Sequence, residues 1–324
     1  MLNSPTIKTY CLIGLLLLSV FSCNETEEPR IAAEPEAFLT EMLNIMEANS
    51  INRNTIDWTE FRSRVFESVG TAQTIDDAYP GVREALTLLG DNHSFFLKPE
   101  GGSIWGRGTI LCDAAPIFSF TVPENIGYVK VSGFSGSRED GVPFADRIQE
   151  SIRSQDSADL IGWIVDLRGN TGGNMWPMIA GIGPILGEGT SGYFVDPDDN
   201  QSAWGYSNGS SIISGNTVVR SSNPYELINP DPKVAVLLDN DIASSGEAVA
   251  IAFVGRENTR SFGSPTCGLS TANASFSLSN DAQLFLTVSY MADRNLNLFG
   301  TPVMPDVEAD NKDVFDQAIL WLSQ

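Results

Sequence analysis

The sequence predicts an α/β protein with a mixed-sheet core and a helical N-terminal lobe. Strand patterns near residues 117, 127, 164, 236 and 286 alternate with helical patterns, which is typical of a sheet covered by helices. The chain before these strands is dominated by helical spacing of apolar residues. The 324 residues contain no internal repeat and are enough for one large domain or two smaller lobes.

Residues 1–22 are predicted to be a lipoprotein signal peptide outside the fold. Lys8 supplies a positive charge, LIGLLLLSVF forms an apolar run too short to span a bilayer comfortably, and VFSC resembles a bacterial lipobox. Cys23 is then the lipidated first residue, and the acidic stretch 23–33 is a solvated tether. This predicts a lipid-anchored protein of the bacterial cell envelope, at the outer membrane and facing the periplasm or the surface; a plain secretory signal and an uncleaved anchor are the alternatives.

Residues 34–100 are predicted to form the helical N-terminal lobe. Helical patterns cover 35–48, 57–69 and about 80–89. The third helix leads into LGDNHSFFLKP, a loop entering a strand, which carries His93, the single histidine of the chain. Loops of this kind often carry working side chains, although a lone histidine is commonly a surface or core residue.

Residues 101–324 are predicted to form the catalytic domain, in which two segments share one plan. A strand at 126–131 and a helix at 144–155 precede GWIVDLRGNTGGNMWPMIAGI, a buried strand followed by a glycine turn and an apolar helix. The segment KVAVLLDNDIASSGEAVAIAF repeats strand, polar turn and helix. The glycine-, serine- and asparagine-rich stretch 187–230 is predicted to be a long excursion over the site, a candidate lid or specificity loop.

The two turns predict an oxyanion site beside a serine hydroxyl. The second turn presents Ser244 at a helix start, where the N–H of Ser245 is free, and the glycines of the first turn, Gly172 and Gly173, permit close backbone approach. The alternatives are a capping box between Ser244 and Glu247, and ordinary strand-to-helix punctuation at the glycines.

A serine nucleophile needs a base, and the sequence offers few. His93 is one choice, and a lysine with a depressed pKa is the other. The lysines outside the signal segment are Lys98, Lys130, Lys233 and Lys312.

The ordered motifs DNHSFF, IGYVKV, GWIVDLRGNTGG, ASSGEAVA and GSPTCGLSTAN resemble the S41 serine peptidases, the tail-specific or C-terminal-processing family, over roughly residues 55–310. The resemblance implies a ClpP/crotonase-like mixed-sheet catalytic core and hydrolysis of peptides or proteins through an acyl-enzyme. It implies Ser244 as nucleophile, with Ser245 and Gly172, or Gly173, as oxyanion donors. Many members insert a PDZ domain after the first lobe, but only about thirty residues separate Phe96 from Ile126 here, too few for one.

One motif departs from the lysine-dependent branch of the family. Where that branch reads GxPTxGKG, this chain reads GSPTCGLS and places Leu269 at the lysine position. The sequence is instead similar to the histidine-bearing, tricorn-like branch, in which an upstream histidine is oriented by an acid. That similarity implies His93 as base and Asp293 as the acid, with Glu247 and Asp91 as alternatives.

Composition limits the partners. With 19 basic against 41 acidic residues the formal net charge is −22, so nucleic acid is excluded as a partner class; a peptide or protein substrate and a membrane reached through the lipid remain. No metal site or organic cofactor is indicated, because there is no histidine pair, cysteine cluster or EF-hand spacing. Cys112 and Cys267 can pair in an oxidising compartment or stay as two thiols.

Three function classes are compatible with these residues. The first is a lipid-anchored serine peptidase. The second is a noncatalytic ligand- or peptide-binding lipoprotein, since interphotoreceptor retinoid-binding proteins share the fold. The third is a serine esterase built on the same nucleophile.

Overall fold

The computed structural model describes residues 1, 30–108, 110, 112, 116, 118 and 120–324. Its helices are α1 (Ala33–Asn49), α2 (Trp58–Val69), α3 (Tyr79–Leu89), α4 (Arg138–Arg153), α5 (Met175–Leu186), α6 (Ser245–Phe253) and α7 (Val314–Leu322). Its strands are β1 (Phe95–Leu97), β2 (Ser103–Trp105), β3 (Ile126–Lys130), β4 (Gly162–Asp166), β5 (Gly189–Val195), β6 (Gln201–Ser207), β7 (Ser210–Ile213), β8 (Asn216–Arg220), β9 (Val234–Leu238), β10 (Thr259–Gly263), β11 (Thr271–Ser277), β12 (Gln283–Asp293) and β13 (Val307–Glu308). The predicted mixed α/β fold is confirmed. Cys23 and the strand expected near residue 117 lie outside the described residues.

A parallel sheet of five strands, ordered β13-β10-β9-β4-β3, forms the centre of the region after residue 101. β4 and β9 are buried along their whole length, because α5 and α6 cover one face and α7 covers the other. β4 and β9 are neighbours in this sheet. The turns that follow them therefore meet at one edge of the sheet, where ligand sites of parallel sheets form.

An eight-stranded sheet, paired antiparallel throughout, lies against the other side of α5 and α6. Its central strand, β12, pairs with β1, β5 and β11, so the sheet joins the N-terminal lobe to the region after residue 101. The helices α1 and α3 pack against this sheet, and α2 packs against α3 in the same apolar cluster. Asp57 caps α2 by accepting the N–H groups of Thr59 and Glu60.

The stretch 187–230 is not an irregular loop, and this corrects the prediction from its composition. It folds into β5 to β8, which end the antiparallel sheet, with β8 at the edge. Asn208–Gly209 connects β6 to β7 and Ser214–Gly215 connects β7 to β8, and all four residues have positive φ, as two-residue type I′ turns require.

Helix α4 begins at Arg138 rather than at the predicted residue 144. Ser137 and Asp140 form a reciprocal capping box that starts the helix earlier, and Pro143 lies inside it. In the described part of the chain, no helix combines the length and apolar character needed to cross a membrane.

Candidate active site

Ser244 sits on a strained turn between β9 and α6. Its φ of 53° and ψ of −119° lie in a region that non-glycine residues seldom adopt, at a cost on the order of 1–3 kcal/mol. The turn is held because Glu247 accepts the Ser244 N–H at 3.0 Å and Ala243 accepts the Gly246 N–H at 2.9 Å. The result is a partly exposed serine side chain at the start of a helix.

His93 reaches this serine from the other lobe. Its Nε2 lies 3.0 Å from the Ser244 Oγ, across 151 residues of chain. The ring is buried, with 5% of the residue exposed. Burial lowers the pKa of His93 to about 4, and the charge of Asp91 acts in the opposite direction. The ring is therefore uncharged at neutral pH, and its nitrogen that lacks a proton can accept one from the serine hydroxyl.

The second ring nitrogen of His93 contacts a hydroxyl, not an acid. Nδ1 lies 2.8 Å from the Oγ1 of Thr271, the first residue of β11. Thr271 is not among the predicted site residues, although the GSPTCGLSTAN motif contains it.

Asp293, predicted to orient His93, does not do so. Its buried carboxylate accepts the N–H groups of Asn295 and Asn297 at 2.8 and 3.0 Å and the side-chain amide of Asn297 at 2.8 Å. Both carboxylate oxygens of Asp293 therefore accept hydrogen bonds within the turn that follows β12.

The two alternative acids are also engaged elsewhere. Asp91 accepts the N–H groups of His93 and Ser94 and the Ser94 hydroxyl, so it shapes the loop rather than touching the ring. Glu247 accepts from the backbone of the serine turn. Within the described residues, the hydrogen bonds place no carboxylate on either nitrogen of the His93 ring.

The glycine turn after β4 faces the serine turn, as the paired motifs predict. The Asn170 carbonyl accepts the Ala243 N–H at 3.1 Å and so links the two turns. A Cβ on Gly172 would stand 2.7 Å from the Ala243 carbonyl oxygen and 3.0 Å from the Ser245 nitrogen. Only glycine permits this approach, and its φ of 98° adds a second reason.

The structure separates the two candidate oxyanion glycines. The Gly172 N–H already donates to the Oδ1 of Asn170 at 3.0 Å, which argues against the prediction of Gly172 as donor. The Gly173 carbonyl accepts the Ser245 hydroxyl at 2.6 Å, and no hydrogen bond among the described residues engages the Gly173 N–H. As the first residue of α6, Ser245 also has an N–H without an acceptor inside the helix.

Comparison with known proteins agrees with this arrangement. The sequence profile of peptidase family S41 matches residues 125–309, more than half of the chain. The chain belongs to peptidase family S41. The matched segment contains Ser244 and both glycines, whereas His93 lies before it. The contact between His93 and Ser244 is thus an observation separate from the match.

Two curated relatives and several solved structures resemble this S41 chain. It is 27% identical over 297 residues to a nisin-resistance protein from Lactococcus lactis subsp. lactis, covering 90% of this chain and 88% of that protein. It is 26% identical over 173 residues to the carboxy-terminal processing protease CtpA of Bacillus subtilis (strain 168), covering 53% and 32%.

Among solved structures, a lipoprotein from Streptococcus agalactiae has a TM-score of 0.72 at 24% identity, with 90% of this chain and 97% of that chain covered. The photosystem II D1 C-terminal processing protease has a TM-score of 0.56 at 15% identity, with 87% and 94% covered. These two structures share the fold.

The DLR sequence of this S41 chain builds the base of the glycine turn. Arg168 and Asp166 form a fully buried, two-point ion pair, with Nε to Oδ1 and Nη2 to Oδ2 both at 2.8 Å. The Tyr128 hydroxyl donates to the same carboxylate at 2.9 Å. Asp239, at the end of the neighbouring strand, accepts the Gly169 N–H at 3.1 Å. These contacts hold the start of the turn at the ends of β4 and β9 and leave its glycines facing Ser244.

The loop around Leu269 serves a structural role. It encloses the carboxylate of Glu247. The Thr266 hydroxyl and the Gly268 N–H donate to its Oε1 at 2.5 and 2.9 Å. Burial nevertheless raises the pKa of Glu247 to about 7, and these hydrogen bonds act against the rise.

A disulfide ties this loop to the connection between β2 and β3. Cys112 and Cys267 are bonded, with Cα atoms 5.3 Å apart and 155 residues of separation. The pairing that the sequence left open is therefore present. Cys267 also donates its N–H to the Ile242 carbonyl at 2.9 Å, two residues before Ser244. The cross-link thus lies directly behind the serine turn.

Proposed function

We propose that this S41 protein is a serine peptidase in which Ser244 is the nucleophile and His93 the general base. The 3.0 Å contact between His93 Nε2 and Ser244 Oγ carries the proposal, since it is the contact that nucleophile activation needs. Membership of a peptidase family supports peptide hydrolysis as the reaction. The buried, neutral His93 supports its role as a base at physiological pH.

The chemistry follows from these positions. Ser244 Oγ attacks the carbonyl carbon of the peptide bond while His93 Nε2 takes the hydroxyl proton. The N–H groups of Gly173 and Ser245 bind the oxyanion that develops, and His93 then gives its proton to the departing amine. Water, deprotonated by His93, hydrolyses the resulting ester and restores Ser244.

The charge of the chain favours cationic peptides as substrates. A formal net charge of −22 attracts positively charged peptides and repels acidic ones, an effect that added salt weakens. The Lactococcus relative is named for nisin resistance, so nisin belongs in the first panel of test peptides. Faster turnover of cationic than of acidic peptides, with the difference shrinking at high salt, is the expected pattern.

We further propose that the protein is held in the bacterial envelope by a lipid on Cys23. The proposal rests on Lys8, the apolar run and the VFSC sequence. Metabolic labelling with an alkyne fatty acid tests it: the wild-type protein should be labelled and sediment with membranes, and Cys23→Ala should be unlabelled. Labelling of the Ala variant, or an unlabelled wild type, would refute the anchor.

Catalysis is tested by peptide turnover and by serine labelling of the full-length chain. Ser244→Ala and His93→Ala should each lower kcat by about 10⁶-fold, whereas Ser154→Ala, an exposed serine at the end of α4, should match wild type. A fluorophosphonate probe should label wild type and not Ser244→Ala. An unlabelled, inert wild type would favour the noncatalytic binder, and turnover of small esters without peptides would favour the esterase.

A further inference from the structure

We propose that the Thr271 hydroxyl is the positioning group of His93, accepting its Nδ1–H and so directing the Nε2 lone pair at Ser244. This inference rests on the proposed function and assigns the place left empty by Asp293 to a neutral side chain. Ser244 and His93 are then the reacting pair and Thr271 positions the ring. Among the described residues, no carboxylate is hydrogen-bonded to that ring.

The two ring contacts of His93 determine the tautomer together. A neutral imidazole has one N–H and one lone pair, so its nitrogens take opposite roles. To accept the Ser244 proton, Nε2 at 3.0 Å must carry the lone pair, and the N–H is then on Nδ1. Thr271 Oγ1, 2.8 Å from Nδ1, supplies the acceptor that this tautomer needs. With 5% and 8% of the two residues exposed, water competes poorly for this bond.

Strand β11 holds two residues that contact His93, namely Thr271 and Asn273. Thr271 is β-branched, which restricts its χ1, and it pairs with Tyr290 of β12. Two residues further along the same strand, Asn273 donates its side-chain amide to the His93 carbonyl at 3.0 Å. The Thr287 hydroxyl of β12 donates to Asn273 Oδ1 at 2.9 Å and keeps that amide oriented. The ring and backbone of His93 are therefore fixed by one strand.

The charged groups around His93 leave the orienting role to the hydroxyl. Asp91, on the same loop, is the carboxylate whose charge acts on the ring, and its oxygens bind the loop backbone and Ser94. From α6, Glu247 faces the Ser244 N–H, and from the end of β12, Asp293 is enclosed by its own turn. A neutral acceptor orients the ring without adding the charge that would raise its pKa.

The single histidine makes the tautomer directly measurable. Full-length protein without a histidine tag, labelled with ¹⁵N in the imidazole and solubilised in detergent, gives ring signals from His93 alone. At pH 7, wild type and Thr271→Ser should show a protonated Nδ1 and an unprotonated Nε2. Thr271→Val, which keeps the shape and removes the acceptor, should shift the proton wholly or partly to Nε2.

Kinetics supply the second measurement. Thr271→Val should lower kcat by about 10²-fold with KM within threefold, because the wrong tautomer cannot accept the serine proton. Thr271→Ser should stay within tenfold of wild type. Thr217→Val, an exposed threonine on the edge strand β8, is the matched control and should change neither the tautomer nor kcat.

The outcomes separate this inference from the proposed function. If wild type carries its proton on Nε2, or if Thr271→Val keeps both the Nδ1–H tautomer and full kcat, Thr271 is not the positioning group. If Thr271→Val does not fold, the wild-type tautomer and the serine variant still decide. If wild type shows the expected tautomer but neither cleaves peptides nor reacts with the fluorophosphonate, the peptidase proposal fails and the Thr271 contact stands.

Discussion

The carboxylate of Glu247 accepts the backbone N–H of Ser244, 3.0 Å away, and is itself completely buried. The residue that holds the strained serine turn is thus an acid that burial drives toward its neutral form. This couples the stability of the site to pH in a direction opposite to that of His93, and the two effects can be measured separately.

Glu247 should make the protein less stable as pH rises from about 4.5 to 7. Its folded-state pKa is raised to about 7, so the unfolded chain loses the proton first and the stabilisation present at low pH is lost. Relative to Glu247→Gln, which stays neutral, the wild-type free energy of unfolding should fall by roughly 3 kcal/mol over this interval. Urea unfolding at several pH values measures the difference. Glu67→Gln, which removes an exposed acid of α2, is the control for the loss of one carboxylate, and a flat difference for Glu247→Gln would contradict the prediction.

His93 should destabilise the protein as pH falls. Its pKa in the folded protein is lowered to about 4 from 6.5. Between these pH values the unfolded chain binds a proton at His93 and the folded protein does not. Relative to His93→Gln, wild type should lose about 2 kcal/mol of unfolding free energy between pH 7 and pH 5. Since the chain has one histidine, no second imidazole contributes to this comparison. An unchanged difference across that range would mean that His93 is not buried in its neutral form.

Gly172→Ala should destabilise the protein by more than the positive φ of this position alone would cause. A Cβ there would meet the Ala243 carbonyl oxygen at 2.7 Å, whereas a Cβ on Gly187, with a similar φ of 91°, meets nothing within 4 Å. Gly187→Ala therefore measures the conformational cost by itself. We expect Gly172→Ala to lose about 2 kcal/mol more of unfolding free energy than Gly187→Ala, and to reduce peptide turnover. Equal losses in urea unfolding would show that the two turns are not in contact.

Reduction of the disulfide should lower stability strongly. Closing a loop of 155 residues restricts the unfolded chain, which corresponds to about 5 kcal/mol in the chain-entropy description. The midpoint of urea unfolding should fall when dithiothreitol is added to wild type. The double variant Cys112→Ser, Cys267→Ser should unfold at the urea midpoint of the dithiothreitol-treated wild type, whether or not dithiothreitol is present. If dithiothreitol leaves the wild-type midpoint of urea unfolding unchanged, this bond has no stabilising role.

Sequence patterns located the serine turn and the glycine turn well, because each turn depends on local signals. A buried strand, a turn of small residues and an apolar helix are legible in the run from Val234 to Phe253, and the structure places β9 and α6 within it. The facing glycine turn follows from the same pattern. The prediction of His93 rested on its being the single histidine and on the resemblance to the histidine-bearing branch, and only the fold brings it to Ser244.

The errors arose where the hydrogen-bond partner of a group, rather than its residue type, decides its role. Asp293 has the right residue type and chain position, but its turn uses both oxygens, and Thr271 became visible only once β11 was placed against the His93 loop. Gly172 and Gly173 are indistinguishable in sequence until the side chain of Asn170 takes one of the two N–H groups. The strands in 187–230 were hidden by their composition, although Asn208–Gly209 is a recognised hairpin signal.

The bond between Cys112 and Cys267 also bears on when the protein matures. Thiols kept reduced during synthesis in a cytosol do not close such a bond, so a newly made chain lacks the tie behind its serine turn. Crossing into an oxidising compartment would supply it. For a chain exported as its signal segment predicts, closing this bond would be an assembly step that follows passage out of the cytosol.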